Sequence, residues 1–188
     1  MIGLTIDQIE EGDEAEIVRV AASRDIAGFV DAVGDDNPIH SDPAYAADSM
    51  FKERIAPGIW TAGLISAVIG TRLPGPGTIY VSQDLRFLRP VKLGDAIRAR
   101  VQVIETSRER NRVRLRTVCR NQRGEEVLTG EALVMPSRTP VVYRRPLDLV
   151  GLWTAWALGP CAWATDVAAV LASFAVAAGP PGPPPQRA

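Results

Sequence analysis

The sequence predicts an α+β domain in which antiparallel strands cover one long apolar helix. Two observations carry that prediction. The stretch from Gly58 to Thr71 is apolar almost all round, which is the pattern of a helix buried on every side. After it come four runs with strand character, 78–88, 96–107, 111–121 and 125–135, and no helical segment between them. Strands that follow one another in this way form an antiparallel sheet, not a parallel βαβ array.

Each element has a local reason. Residues 14–21 alternate well enough for a strand, after a turn at Gly12-Asp13. A helix from about Arg24 to Val33 follows, with Ser23 as its cap and Ile26, Phe29, Val30 and Val33 on one face. It ends near Gly34. A short helix from Pro43 to about Met50 has Asp42 as cap and Pro43 in its first turn. Within the central helix, the small residues Ala62, Gly63, Ser66 and Ala67 are expected to let strands approach closely.

Pro74-Gly-Pro-Gly77 closes the helical region. In the second strand run Ile97, Ala99, Val101 and Val103 alternate with Arg98, Arg100 and Gln102. In the third, Val113, Leu115, Thr117 and Cys119 alternate with Arg112, Arg114 and Arg116. Both patterns describe half-buried antiparallel strands with a charged outer face. That face is read as a solvated surface in preference to a phosphate site, although Arg86 and Arg89 flank Phe87-Leu88 where a phosphate could lie. Gly94-Asp95, Arg110-Asn111 and Arg123-Gly124 are the candidate turns.

At 188 residues, with 46% hydrophobic and 23% charged residues and a formal net charge of -1, the chain has the composition of an ordinary globular protein. No basic excess points to nucleic acid. Cys119 and Cys161 lack ligand spacing, which argues against a zinc site or a disulfide framework and for a reducing compartment. No metal site and no glycine-rich nucleotide loop is expected; Gly70–Gly77 lacks the required pattern. The N-terminal residues have neither a basic region nor a continuous apolar core, so a secretory signal is not expected and the cytoplasm is.

The composition changes after Pro136: three of four tryptophans and eight of fifteen prolines lie beyond it, while Lys and Glu vanish. The domain is therefore expected to cover 1–136 and an apolar, proline-rich extension 137–188. Each uninterrupted apolar run in the extension is shorter than the roughly 20 residues of a membrane span. Trp153, Trp156 and Trp163 would suit a membrane interface, but a helical appendage packing on the domain or a partner, then a disordered end, is preferred.

The segment Phe29–Asp42, FVDAVGDDNPIHSD, holds the chemistry. His40 is the single histidine, five residues after Asp35, with Asn37 and Pro38 between them. A histidine titrates near physiological pH, and a nearby carboxylate can orient it. Gly34 and Pro38 should make Asp35–His40 a fixed non-helical excursion at a helix end. Read locally, the same residues also fit an Asx-turn followed by a helix cap.

The longer string, with Phe29, Gly34, Asp35, Asn37, Pro38, Ile39, His40 and Asp42, closely resembles the hydratase motif of the MaoC-like, or R-specific enoyl-CoA hydratase, family of hotdog-fold proteins. Val33 departs from the Ser, Thr, Gly or Cys usual there. The resemblance covers roughly residues 10–136, and the order of elements fits a single hotdog.

It implies reversible hydration of a trans-2-enoyl thioester to an R-3-hydroxyacyl thioester, with Asp35 and His40 as the catalytic pair. Gly58 matches the family's oxyanion glycine, which acts through backbone N–H at a helix N-terminus; Pro57 stands where the family often has His. Ser66 matches a polar position of the acyl pocket. Asn37, grouped with that pocket, is expected chiefly to hold the loop in shape. No cofactor is implied, since CoA would belong to the substrate, and a homodimer with the thioester tunnel at its interface is expected. The alternatives are an acyl-carrier-protein dehydratase, a hydratase for branched or dicarboxylic enoyl-CoA, and a non-catalytic thioester-binding or assembly subunit. A hotdog thioesterase fits less well, because no carboxylate lies between Gly58 and Arg72.

Overall fold

The computed structural model describes residues 1–144. The extension expected beyond Pro136 therefore lies, from residue 145 onward, outside the described residues. The chain runs β1 (Ile2–Gly3), a 3₁₀ turn (Ile6–Gln8), β2 (Glu14–Val20), α1 (Ser23–Val33), α2 (Pro38–Ser41), α3 (Pro43–Asp48) and α4 (Gly58–Thr71). Then come β3 (Ile79–Phe87), β4 (Ala96–Ser107), β5 (Arg112–Arg120), β6 (Glu126–Met135) and β7 (Val141–Val142).

Five strands form one antiparallel sheet in the order β2-β4-β5-β6-β3, while β1 pairs with β7. The registers Ala99↔Cys119↔Leu128 and Val103↔Leu115↔Ala132 stack the apolar positions of β4, β5 and β6 on one face. That face meets the inward side of α4, where Trp60, Leu64, Ile65, Val68 and Ile69 are buried. Each such side chain contributes about 1.5–3 kcal/mol by leaving water. Burial also pushes the Cys119 thiol up to about 12, so it sits in the sheet as a neutral apolar group.

Asn111, in the expected turn at Arg110-Asn111, adopts φ +51° between β4 and β5 and donates from Nδ2 to the Pro136 carbonyl at 2.9 Å. Asn tolerates the left-handed conformation better than most residues, and this long-range bond holds the turn against the end of β6. The arginines of β4 and β5 lie on the outer face among glutamates: Arg98 pairs with Glu16, Arg100 with Glu14, Arg114 with Glu105 at 2.9 Å and Arg120 with Glu126 at 2.6 Å.

Two local expectations are corrected. Ser23 is the first residue of α1 and not its cap; the cap position is Ala22, which has no side chain able to serve. The helix α4 is not buried all round: Ile59, Gly63, Ser66 and Gly70 form an exposed face opposite the sheet. No atom lies within 4 Å of a side chain added at Gly63 or Gly70, so these small residues do not admit strands of their own domain. An apolar composition hides the phase of a helix whose outward residues are Ile, Gly and Ser.

Candidate active site

The end of α1 sets the site. Gly34 closes the helix in the left-handed conformation, φ +69°, and Asp35 N–H returns to the Val30 carbonyl at 3.0 Å. This closure directs the chain sharply away from the helix axis. Asp35 then accepts from Asn37 N–H at 3.4 Å, and the Asn37 side chain accepts from Ile39 N–H at 3.3 Å. Asn37 thus caps α2, with Pro38 at its first position, where a missing N–H costs nothing.

The segment Asp35–His40 is consequently not an excursion throughout. Its second half is a single helical turn, and His40 projects from that turn. Asp42 caps α3 by accepting from the N–H groups of Ala44 and Tyr45, at 2.8 and 3.2 Å.

His40 is held from behind. Its Nδ1 lies 2.8 Å from the Ile55 carbonyl, and because a carbonyl only accepts, Nδ1 carries the proton. In the neutral ring Nε2 is then the open acceptor, and it faces Asp35 Oδ2 at 3.7 Å. That separation is too long for a direct hydrogen bond. The imidazole is 9% exposed and the carboxylate 36%, so the pair opens to solvent on the aspartate side.

Ile55 is itself fixed on two sides. Its N–H reaches the Ile39 carbonyl at 3.4 Å, and the next residue, Ala56, donates to the Val91 carbonyl at 2.8 Å.

Beyond Ile55 the chain enters α4 at Gly58. Trp60 N–H turns back onto the Pro57 carbonyl at 3.0 Å. The N–H groups of Gly58 and Ile59 have no partner among the described residues, which is the usual condition of a helix start. Gly58 lies against the Phe87 ring: a side chain here would begin 2.9 Å from Phe87 Cε1.

Gly58 and Ile55 line a cavity of about 290 Å³ with Phe51, Thr61, Phe87 and Leu88, and with Arg89 among its lining residues. Arg89 donates to the Glu126 carbonyl at 2.9 Å. Arg86, paired with it in the sequence reading, is exposed on β3 and does not line the cavity.

The geometry thus brings Asp35 to His40 directly, and His40 to Gly58 through Ile55. Asn37 supports the loop. Ser66 is exposed on the outward face of α4 and is not part of this cavity. The polar residue of α4 that does line it is Thr61, which the sequence reading passed over, as it did Phe87 and the Ile55 carbonyl. No group of metal-binding side chains occurs among the described residues.

Residues 6–122 match the model of the MaoC like domain. The chain belongs to the MaoC-like family. It is 47% identical over 131 residues to a 3-hydroxybutyryl-CoA dehydratase of Methylorubrum extorquens, covering 70% of this chain and 83% of that one. It is 45% identical over 133 residues to an (R)-specific enoyl-CoA hydratase of Rhodospirillum rubrum, covering 70% and 92%.

Among solved structures, the unliganded R-hydratase PhaJ1 of Pseudomonas aeruginosa superposes with a TM-score of 0.73 at 45% identity, over 78% of this chain and 95% of that one. The (R)-hydratase of Aeromonas caviae gives a TM-score of 0.66 at 36% identity, over 68% and 96%. The α+β domain is a hotdog, as the order of its elements implied.

Proposed function

We propose that this protein is an R-specific enoyl-CoA hydratase, adding water reversibly across the double bond of a trans-2-enoyl-CoA. The observation that carries the reading is the Asp35–His40 pair, with Nδ1 of His40 tied to a carbonyl and Nε2 turned toward the carboxylate. Two acceptors facing one space from adjacent corners suit a water that donates a hydrogen to each. Its oxygen lone pair is then free for C3 of the enoyl group.

In the forward direction the water oxygen forms a bond to C3, the C2–C3 π electrons move toward the thioester oxygen, and Asp35 takes the proton. His40 shares the water and the proton that returns to C2, so both transfers occur on one face. Gly58 N–H, at the positive end of α4, stabilises the charge on the thioester oxygen. The apolar cavity beside it takes part of the thioester, and Asn37 holds the loop that carries the pair. The substrate brings the CoA; the residues named here need no further group.

A homodimer completes this reading. Ile79, Val81, Phe87 and Leu88 expose large apolar surface on or beside β3, which is an edge of the sheet, and α4 leaves its Ile59–Gly63–Ser66–Gly70 face uncovered. A long apolar edge strand is ordinarily paired or covered, and a second copy joined at β3 would do so. Val81→Asp should shift the species seen by light scattering from dimer to monomer; a wild-type monomer at micromolar concentration would refute the assembly.

The deciding assay follows the enoyl-thioester absorbance of crotonyl-CoA with wild type, Asp35→Asn and His40→Gln. Wild type should consume the band, and both variants should be slower by at least about a hundredfold. A wild type inactive on crotonyl-CoA and on a longer enoyl-CoA, but active on enoyl-acyl-carrier protein, would move the assignment to a carrier-protein dehydratase. Among the described residues no helix is long and apolar enough to cross a membrane.

A further inference from the structure

Thr61 is 2% exposed, yet its hydroxyl has no hydrogen-bond partner among the described residues. A helical threonine commonly returns its hydroxyl to the carbonyl one turn back. Thr71 does so, onto Ala67 at 2.6 Å. At Thr61 only the carbonyl is engaged, by Cys119 Sγ at 3.8 Å. Nor is the hydroxyl sealed in the core, since among the described residues the fully enclosed unpartnered side-chain atoms are Thr78 Oγ1 and Asn111 Oδ1. It therefore opens onto the cavity that Thr61 lines with Gly58, Ile55 and Phe87.

Position along α4 says what the hydroxyl can reach. Residues three apart share a helix face, and helical side chains lean toward the N-terminus. Thr61 thus leans over the turn that begins at Gly58, beside the two unpaired N–H groups. The remaining lining of the cavity is almost wholly apolar, Arg89 aside. A hydroxyl left unpaired in such surroundings carries a desolvation cost that a bound acceptor removes.

We propose that the Thr61 hydroxyl is a second hydrogen-bond donor to the thioester oxygen, completing with Gly58 N–H a two-donor oxyanion site. The proposal rests on the thioester reading of the same site. It assigns Thr61 to the substrate in direct contact, and it predicts that a hydroxyl, not a threonine, is what position 61 requires.

The test separates this claim from the hydratase assignment. Butyryl-CoA labelled with ¹³C at the thioester carbon, which cannot be hydrated, is bound to wild type, Thr61→Val and Thr61→Ser, and the carbonyl stretch is read by difference infrared spectroscopy. The same proteins are assayed with crotonyl-CoA, and thermal melts confirm that each is folded.

Wild type and Thr61→Ser should show the band moved to lower wavenumber relative to free butyryl-CoA, and Thr61→Val should lose part of that shift. The hydration kcat of Thr61→Val should fall about tenfold to a hundredfold with KM changed less than about threefold. If the shift is lost in Thr61→Val while wild type hydrates nothing, the donor stands and the hydratase reading falls. A Thr61→Val band and rate equal to wild type, or a wild-type band at the free-thioester position, overturns the donor.

Discussion

The outer face of the sheet and the turn at Asp35–His40 both place carboxylates beside basic side chains, and they do opposite things. On the sheet, Arg98, Arg100, Arg114 and Arg120 each meet a glutamate, with every partner between about two-fifths and three-fifths exposed. Such pairs are regular, solvated and worth little individually. At the turn there is one pair, 3.7 Å apart, made by an irregular backbone and backed by a carbonyl. Charge density is highest where nothing happens. What marks the reactive corner is a nearly buried titratable ring whose one nitrogen is already committed and whose other is left free.

Charge-neutral substitutions should break this comparison most sharply at the corner. Asp35→Asn and His40→Gln each keep shape and remove the ability to exchange a proton, so hydration should slow by at least about a hundredfold while the melting temperature moves little. Gly58→Ala comes next. The new methyl would stand 2.9 Å from Phe87 Cε1, the outer end of a ring that is half exposed in the single chain. The fold should therefore survive, with the methyl and the displaced ring filling the mouth of the cavity. We expect at least about a tenfold loss of kcat/KM, about 1.4 kcal/mol of transition-state binding. Gly58→Ala combined with Phe87→Leu should recover part of it. Full activity in Gly58→Ala would show that the helix start is not where the thioester binds.

These residues were unequally legible in the sequence. The strands and α4 were readable because their signals are local: period-two alternation in β4 and β5, and a predominantly apolar run from Gly58 to Thr71. Asp35 and His40 were readable because Gly34, Asn37 and Pro38 bracket them with turn chemistry and because the longer string resembles a known motif. The Ile55 carbonyl was not, since a backbone oxygen has no letter of its own and its partner lies 15 residues away. Thr61 failed for another reason. In a helix apolar on both faces, hydropathy cannot fix the phase; Ser66 was singled out through the family resemblance, and nothing in the sequence showed that Thr61 faces inward.

A smaller effect separates support from chemistry within the motif. Asn37 caps α2 through Ile39 N–H and lies two residues from the carboxylate it helps to place. Asn37→Ala should cost about 1 kcal/mol of stability, read from urea midpoints, and should reduce kcat by much less than either member of the pair does. A loss of kcat equal to that of Asp35→Asn, with unchanged stability, would instead place Asn37 on the substrate.

The smallest expected change is on the sheet. Arg114 is the best-connected arginine there, reaching Glu105 at 2.9 Å and Glu131 at 3.7 Å, and the hydrogen bond it donates to Glu105 raises its pKa. Its side chain is nonetheless about half exposed, and ordering two long side chains in water offsets most of the attraction. Arg114→Gln should therefore shift the urea midpoint only slightly, less still in 0.5 M salt, and leave hydration of crotonyl-CoA unchanged. Lost activity at wild-type stability would mean that this face touches the substrate, and the contrast between the two regions would fail. An effect confined to stability and erased by salt would confirm that the regular charges solvate the sheet while the irregular pair works.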